Sequence, residues 1–212
     1  MKRTLLTTIA LAISLTTQAD SFYIKAGGGV NMMSKHKGRV QTYKSKTASL
    51  AEIGIGHNMS DNFRTDLTLT HYFTPEHKAS TLIQNRPNKL SGKLKADINS
   101  LMVNVYVDPF SDIKSVKPFI GLGVGIATVK QKYSYQISSA TGEILKTTSG
   151  STKQANNFSY SFVIGIHRTV TDTIIGELSY SWNDFGKTKS RNNGPRTHYK
   201  GQNIIARLRS NI

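Results

Sequence analysis

The sequence has no cysteine, only 12 acidic residues and one tryptophan, and no apolar run long enough to cross a membrane as a helix. Without cysteine, the chain cannot have disulfides, a thiolate zinc site, thiol catalysis or a lipid-anchored N-terminal cysteine. The shortage of acids is the more informative absence, because 28 lysines and arginines give the 212-residue chain a net charge of +16. A charge of this size indicates an anionic partner, and nucleic acid is the first class to consider.

The first nineteen residues argue against a nucleic-acid partner, because they have the pattern of an export signal. Lys2 and Arg3 precede an apolar stretch from Leu5 to Leu15, and small residues lead up to Ala19. The stretch is too short for a transmembrane helix, which needs about 20 residues. A buried helix or an uncleaved anchor is the less favoured alternative. We therefore expect a signal peptide over 1–19, Sec-dependent export and a mature domain over 20–212.

The rest of the chain alternates apolar and polar residues with a period of two, which is typical of β-strands with one apolar face. No sustained helical periodicity competes with this pattern. In the first run, Ile24 and Val30 belong to the apolar set, and Lys25 and Gly27 to the opposite set. The alternation predicts eight strands, over 22–32, 51–59, 63–73, 97–107, 118–130, 158–167, 174–183 and 203–212.

Three features favour a membrane barrel over a soluble β-sandwich, the alternative that such strands leave open. The links after strands two, four and six are short, whereas the others are long, as in outer-membrane barrels with short periplasmic turns and long outer loops. The predicted strands approach or exceed the roughly 9–11 residues that a membrane crossing needs. Aromatic residues also lie near strand ends, as interfacial girdles require. We predict an all-β, eight-stranded, antiparallel up-and-down transmembrane barrel in the outer membrane.

Nearly all of the surplus charge falls in the predicted outer loops. These loops, 33–47, 74–93, 130–157 and 184–200, have net charges of +5, +3, +3 and +4, from eighteen bases and three acids. Loop solubility alone explains polarity but not the missing acids. Attraction to an anionic partner explains both, although the charge could instead serve packing against lipopolysaccharide.

The first and fourth loops are the strongest candidates for ligand binding. They leave from the first and last strands, which are neighbours in a closed barrel, and together they carry a charge of +9. The candidate ligand-binding residues are Lys35, Lys37, Arg39, Lys44, Lys46, Lys187, Lys189, Arg191 and Arg196.

Inside the barrel, four charged residues fall on polar faces at similar distances from the periplasmic strand ends. We expect Lys25, Asp66, Glu177 and Arg207 to form one salt-bridged layer, because an unpaired charge in a closed interior costs several kcal/mol. A catalytic use of the carboxylates is disfavoured by the bases that share the layer. The six scattered histidines have no metal-binding spacing, and no nucleophile elbow occurs. We expect no enzyme activity, no metal and no cofactor.

Three segments carry a resemblance to a known family. They are 22–29 (FYIKAGGG), 117–125 (KPFIGLGVG) and 177–182 (ELSYSW), and the export signal adds to the resemblance. They resemble the small eight-stranded outer-membrane barrels, which include OmpA-like domains and opacity-type adhesins. The chain is most similar to the Adr-type surface adhesins of rickettsiae.

The resemblance implies binding of host proteins such as the serum protein vitronectin, and so adherence and resistance to complement. The leading hypothesis is therefore a monomeric surface adhesin whose basic loops bind a host extracellular protein or acidic glycan. The alternative is a structural or narrow-pore barrel whose loops contact lipopolysaccharide. A third possibility, a lipid-modifying membrane enzyme, lacks a nucleophile–base pair.

Overall fold

The computed structural model describes residues 22–33, 47–73, 77–82, 89–109, 116–139, 143–151, 153–187 and 198–212. The predicted signal peptide over 1–19 lies outside these residues. No helix in the described part of the chain is long and apolar enough to span a membrane. The strands are β1 (Phe22–Met33), β2 (Thr47–Ser60), β3 (Phe63–Phe73), β4 (His77–Leu82), β5 (Lys89–Val107), β6 (Lys117–Ser138), β7 (Ile144–Ser151), β8 (Ala155–Thr169), β9 (Ile174–Lys187) and β10 (His198–Asn211).

Eight of these strands form the closed antiparallel barrel that the sequence predicts. Going around the wall, the order is β1, β2, β3, β5, β6, β8, β9 and β10, with β1 paired to β10. The β5–β6 pairing closes the wall, so no strand edge is open to lipid along the barrel itself. The prediction of an eight-stranded barrel is confirmed.

The alternating pattern decides which side chains face the lipid. Ile24, Leu67, Leu122 and Phe158 are each 45–69% exposed, and they lie on the outer surface that the membrane covers. The residues between them point into the barrel, and many of them are polar and buried. The apolar set of the sequence pattern is therefore the lipid-facing set.

The short connections lie together at one end of the barrel, which we assign to the periplasm. Asp61 and Asn62 form the turn between β2 and β3, and residues 170–173 connect β8 to β9. A backbone hydrogen bond from the Asp108 N–H to the Asn62 carbonyl (2.9 Å) links two of these connections.

Two of the predicted outer loops contain strands that the eight-strand prediction does not include. Residues 77–82 and 89–93, within predicted loop two, belong to β4 and β5, and β5 continues through 94–97 into the predicted strand. Residues 130–138 and 144–151, within predicted loop three, belong to β6 and β7. These four segments pair in the order β4, β5, β6 and β7 beyond the outer rim of the barrel, and we call them the upper ribbon. The sequence pattern did not indicate β7 because neither of its faces is buried, so no apolar alternation is required there.

Candidate functional site

The barrel interior is built around ion pairs that span neighbouring strands. The Lys25 Nζ lies 2.6 Å from Asp66 Oδ2 and 3.6 Å from Glu52 Oε1. The Arg207 Nε lies 2.5 Å from Glu52 Oε1, and its Nη1 donates a hydrogen bond to Ser179. All of these side chains are buried. Because each charge faces an opposite charge at short range, the desolvation cost of burying it is offset.

A second cluster lies closer to the periplasmic end. Glu177 Oε1 is 3.0 Å from Arg64 Nη1 and 3.5 Å from Arg209 Nη1. His167 Nε2 forms a hydrogen bond of 3.1 Å with Asp108 Oδ2, and Arg64 Nε lies 3.7 Å from the other oxygen of that carboxylate. Burial raises the pKa of Asp108, but the bond with His167 and the charge of Arg64 outweigh this effect and hold the pKa below its ordinary value.

Of the predicted layer of Lys25, Asp66, Glu177 and Arg207, the Lys25–Asp66 pair is present, but Glu177 and Arg207 do not pair with each other. Glu177 and Arg207 are register neighbours on β9 and β10, yet the ion contacts of each are with other residues. Glu52, Arg64 and Arg209, which the predicted layer does not include, supply the partners of Arg207 and Glu177.

Glycines explain how Arg207 reaches its partner. Arg207, Gly27 and Glu52 form one register row across β10, β1 and β2. Since Gly27 has no side chain, the arginine crosses β1 above it, and an added Cβ would collide with Arg207 Cγ. Tyr23 crosses Gly56 in the same way and donates a hydrogen bond to Asp66 (3.2 Å). The positions of inward glycines thus decide which charged residues pair. The sequence contains these glycines, but the apolar–polar alternation alone does not predict the pairing.

The carboxylates are occupied by structural contacts and are poorly suited to catalysis. Asp66 accepts hydrogen bonds from Thr68 (2.8 Å) and Asn104 (2.7 Å) in addition to its ion pair. Glu52 accepts a hydrogen bond from Thr70 (3.3 Å) as well as its two cationic contacts. No group of three or more metal-ligating side chains occurs among the residues that the structure describes.

An apolar layer fills the interior at the extracellular end of the barrel. It contains Met33, Leu50, Tyr72, Ile98, Ala127, Val129, Phe185 and Ile205, all buried. Between this layer and the ion pairs lies a polar cavity of about 20 Å³, lined by residues that include Thr70, Ser100 and Asn203. A volume of this size holds about one water molecule. In the described part of the barrel, buried side chains therefore fill most of the space between the apolar layer and the ion pairs.

The outer rim carries a further charged group on β9 and β10. Asp184 is buried, and its carboxylate lies 2.7 Å from His198 Nε2 and 3.4 Å from Lys200 Nζ. It also accepts hydrogen bonds from the Gly186 N–H (2.9 Å) and the Tyr160 hydroxyl (3.3 Å). Because these contacts neutralise Asp184, one of the three acids of the predicted outer loops presents little free negative charge.

Most of the predicted ligand-binding residues lie outside the described part of the chain. These are Lys35, Lys37, Arg39, Lys44, Lys46, Lys189, Arg191 and Arg196. Lys187 is described, and it is exposed at the end of β9. The strand ends that lead into the first and fourth loops are neighbours, because Met33 pairs with Gly201 across β1 and β10.

Individual relatives, rather than a family model, place the chain in a family. Comparison with family models found no match. A protein of Rickettsia conorii, whose name describes it as a candidate adhesin, is 38% identical over 208 residues, covering 90% of this chain and 82% of the relative. A Rickettsia bellii protein with the same kind of name is 32% identical over 206 residues, covering 91% and 89%.

A solved structure supports the fold. The crystal structure of Neisserial surface protein A matches with a TM-score of 0.58 at 15% identity, covering 90% of this chain and 97% of the other. At this identity the match establishes the fold alone. The rickettsial relatives, which are named as adhesins, indicate a non-enzymatic protein, and the barrel fold is that of an outer-membrane protein. The chain belongs to the rickettsial family of adhesin-named outer-membrane β-barrels.

Proposed function

We propose that this protein is a surface adhesin that binds host extracellular proteins through its basic outer segments, aiding adherence and serum resistance. The ligand class is a serum or cell-surface protein of the vitronectin type with an acidic surface, or an acidic glycan. The names of the rickettsial relatives support adhesion as the general role.

The observation that carries the proposal is the separation of charge between the interior and the outer end. The two interior clusters balance four basic side chains, Lys25, Arg64, Arg207 and Arg209, against four acidic ones, Glu52, Asp66, Asp108 and Glu177. Predicted outer loops account for +15 of the net charge of +16. The surplus is therefore not used in the ion pairs of the described interior, and the predicted loops would present it to a ligand outside the cell.

The filled interior argues against the narrow-pore form of the alternative hypothesis. One observation favours the other form of the alternative, a structural barrel that contacts lipopolysaccharide. Lys95 and Lys130 lie on the outward face of β5 and β6, a few residues beyond the lipid-facing Leu101 and Ile126. Lysines at that height can reach the phosphates of lipopolysaccharide, as lysines near a membrane surface do with anionic head groups.

A pull-down from serum with the refolded mature barrel tests the proposal. One variant replaces Lys35, Lys37, Arg39, Lys44 and Lys46 with Gln, and a second does the same to Lys187, Lys189, Arg191 and Arg196. The matched control neutralises Lys117 and Arg168, which lie on β6 and β8 near the periplasmic end.

We expect the parent and the control to retain vitronectin or another acidic serum protein, and each loop variant to retain less. Equal capture by all four proteins would refute binding through the basic loops. Capture of lipopolysaccharide but of no host protein would favour the structural barrel.

A further inference from the structure

The upper ribbon extends the sheet of the barrel wall outside the membrane. Its longest ladder, between β5 and β6, continues from the barrel wall up to the pair Lys89 and Ser138. From Val129, which is buried at the rim, to Ser138 the strand rises about 30 Å at roughly 3.3 Å per residue. A partner can therefore be bound well above the lipid surface.

The ribbon ends in a strand with an open edge. β7 is the last strand of the sheet order, paired to β6 on one side, and no described residue pairs with its other side. Seven of its eight residues are exposed and Gly150 is half-buried. Every second residue of such a strand directs its N–H and C=O toward the open edge, where another extended chain can bind them.

The sequence of β7 suits the addition of a strand. Its residues, ILKTTSGS, contain no proline and no acid, and Thr147 and Thr148 at its centre are good strand formers. Natural proteins commonly blunt an exposed edge with charge, and Lys146 is the one charge in β7. A single lysine discourages pairing with a like-charged strand but not with an acidic one.

Charge around this edge selects the partner. Segments 89–97, 130–138 and 143–153 contain seven lysines and two acids. One of those acids, Asp97, is already paired with Lys132 at 2.9 Å. A second copy of this basic chain would be repelled, whereas an acidic segment would be attracted.

We propose that the open edge of β7 binds an extended acidic segment of the extracellular partner by strand addition. The inference rests on the proposed adhesin function and adds the mode of binding to it: backbone hydrogen bonds hold the segment, and the lysines of the ribbon select its charge.

Hydrogen exchange with synthetic peptides tests the proposal directly. The refolded mature barrel is mixed with a ten-residue peptide that alternates Val and Glu, and exchange of the amides of 144–151 is followed by NMR or mass spectrometry. We expect alternate β7 amides to exchange at least about tenfold more slowly, because they become donors in a new ladder. A peptide alternating Val and Lys, and the acidic peptide N-methylated at every residue so that both of its edges are blocked, should give no such protection.

Proline substitution on β7 provides the matched variants. Of the neighbours Thr147 and Thr148, one donates its N–H toward β6 and the other toward the open edge, and exchange in the free protein identifies which. Proline at the edge-directed position should weaken peptide binding by about tenfold or more while the β5–β6 ladder keeps its protection. Replacement of the same residue by Val should leave binding unchanged.

Several outcomes overturn the proposal. Equal protection by the N-methylated peptide means binding without a ladder, and protection confined to β4 places the ligand on the other edge. Protection of β7 in the free protein at alternate edge-directed amides means that another part of the chain or a second copy already covers it. If the proline variant still retains serum proteins while the loop variants do not, the adhesin function stands and strand addition is wrong. If no variant or parent retains any host protein, the proposed function itself fails.

Discussion

The pairing of Arg207 with Glu52 gives a sharp test of how the interior is held together. The two side chains are 5% and 6% exposed, and their closest atoms are 2.5 Å apart. We compare Glu52→Gln, Arg207→Met and the double variant. The control double variant combines Arg207→Met with Glu177→Gln, whose residues are register neighbours but are not ion-paired.

Each single variant leaves a buried charge without its main partner, which typically costs about 3–5 kcal/mol. After Glu52→Gln, Lys25 keeps Asp66 at 2.6 Å, so the uncompensated charge is that of Arg207. The double variant removes both charges together and should lie within about 2 kcal/mol of the parent, because a neutral pair of similar volume is tolerated where an orphaned ion is not. The control double variant should lose at least as much as Arg207→Met alone, since it leaves Glu52 and also Arg64 and Arg209 short of a partner.

The free energy of unfolding is measured by urea titration of the refolded barrel, followed by tryptophan fluorescence or by mobility on cold gels. A coupling free energy near zero between Glu52→Gln and Arg207→Met would refute the pairing. So would a control double variant that is as stable as the parent, because that result would indicate that Glu177 and Arg207 pair with each other.

Four further predictions follow from the same structure. Gly27→Ala should destabilise the barrel, because the added Cβ would collide with Arg207. Gly28→Ala should not, because the nearest atom to its added Cβ is the Leu50 carbonyl oxygen at 3.6 Å. Equal unfolding free energies for the two variants would contradict this prediction. The mature protein should begin at Asp20, and mass spectrometry that finds Met1 on surface-exposed protein would refute a cleaved signal. Planar-bilayer recordings should show no stable open pore, given the filled interior, and a steady conductance above an ion leak would count against it. The stability that Asp108 contributes should be complete above its unfolded-state pKa, about 3.9, and should be lost as the pH falls through its depressed folded-state pKa. The parent should therefore lose more stability between neutral and acidic pH than the Asp108→Asn variant does.

The sequence pattern was sufficient for the membrane-spanning wall. Lipid requires one face of every strand to be apolar. Residues such as Ile24 and Leu122 therefore identify the strand and its lipid-facing side, and the residues between them face the interior. The same reasoning placed Lys25, Asp66, Glu177 and Arg207 inside the barrel, where the structure has them buried.

Two features could not be predicted in this way, for different physical reasons. Outside the membrane no face of β7 is buried, so its sequence reads as a loop although its backbone pairs with β6. Inside the barrel, ion partners depend on which neighbour is a glycine. Arg207 lies beside Glu177 in the register, but Gly27 on its other side opens the way to Glu52.

The salt dependence of ligand binding tests the central claim most directly. Vitronectin binding to the refolded barrel is measured from about 50 to about 500 mM salt for the parent, the two loop variants and the Lys117/Arg168 control. The account predicts affinity that falls steeply with salt for the parent and the control, and loop variants that associate more slowly at low salt with little change in dissociation. Salt-independent binding, or full binding by both loop variants, would contradict it.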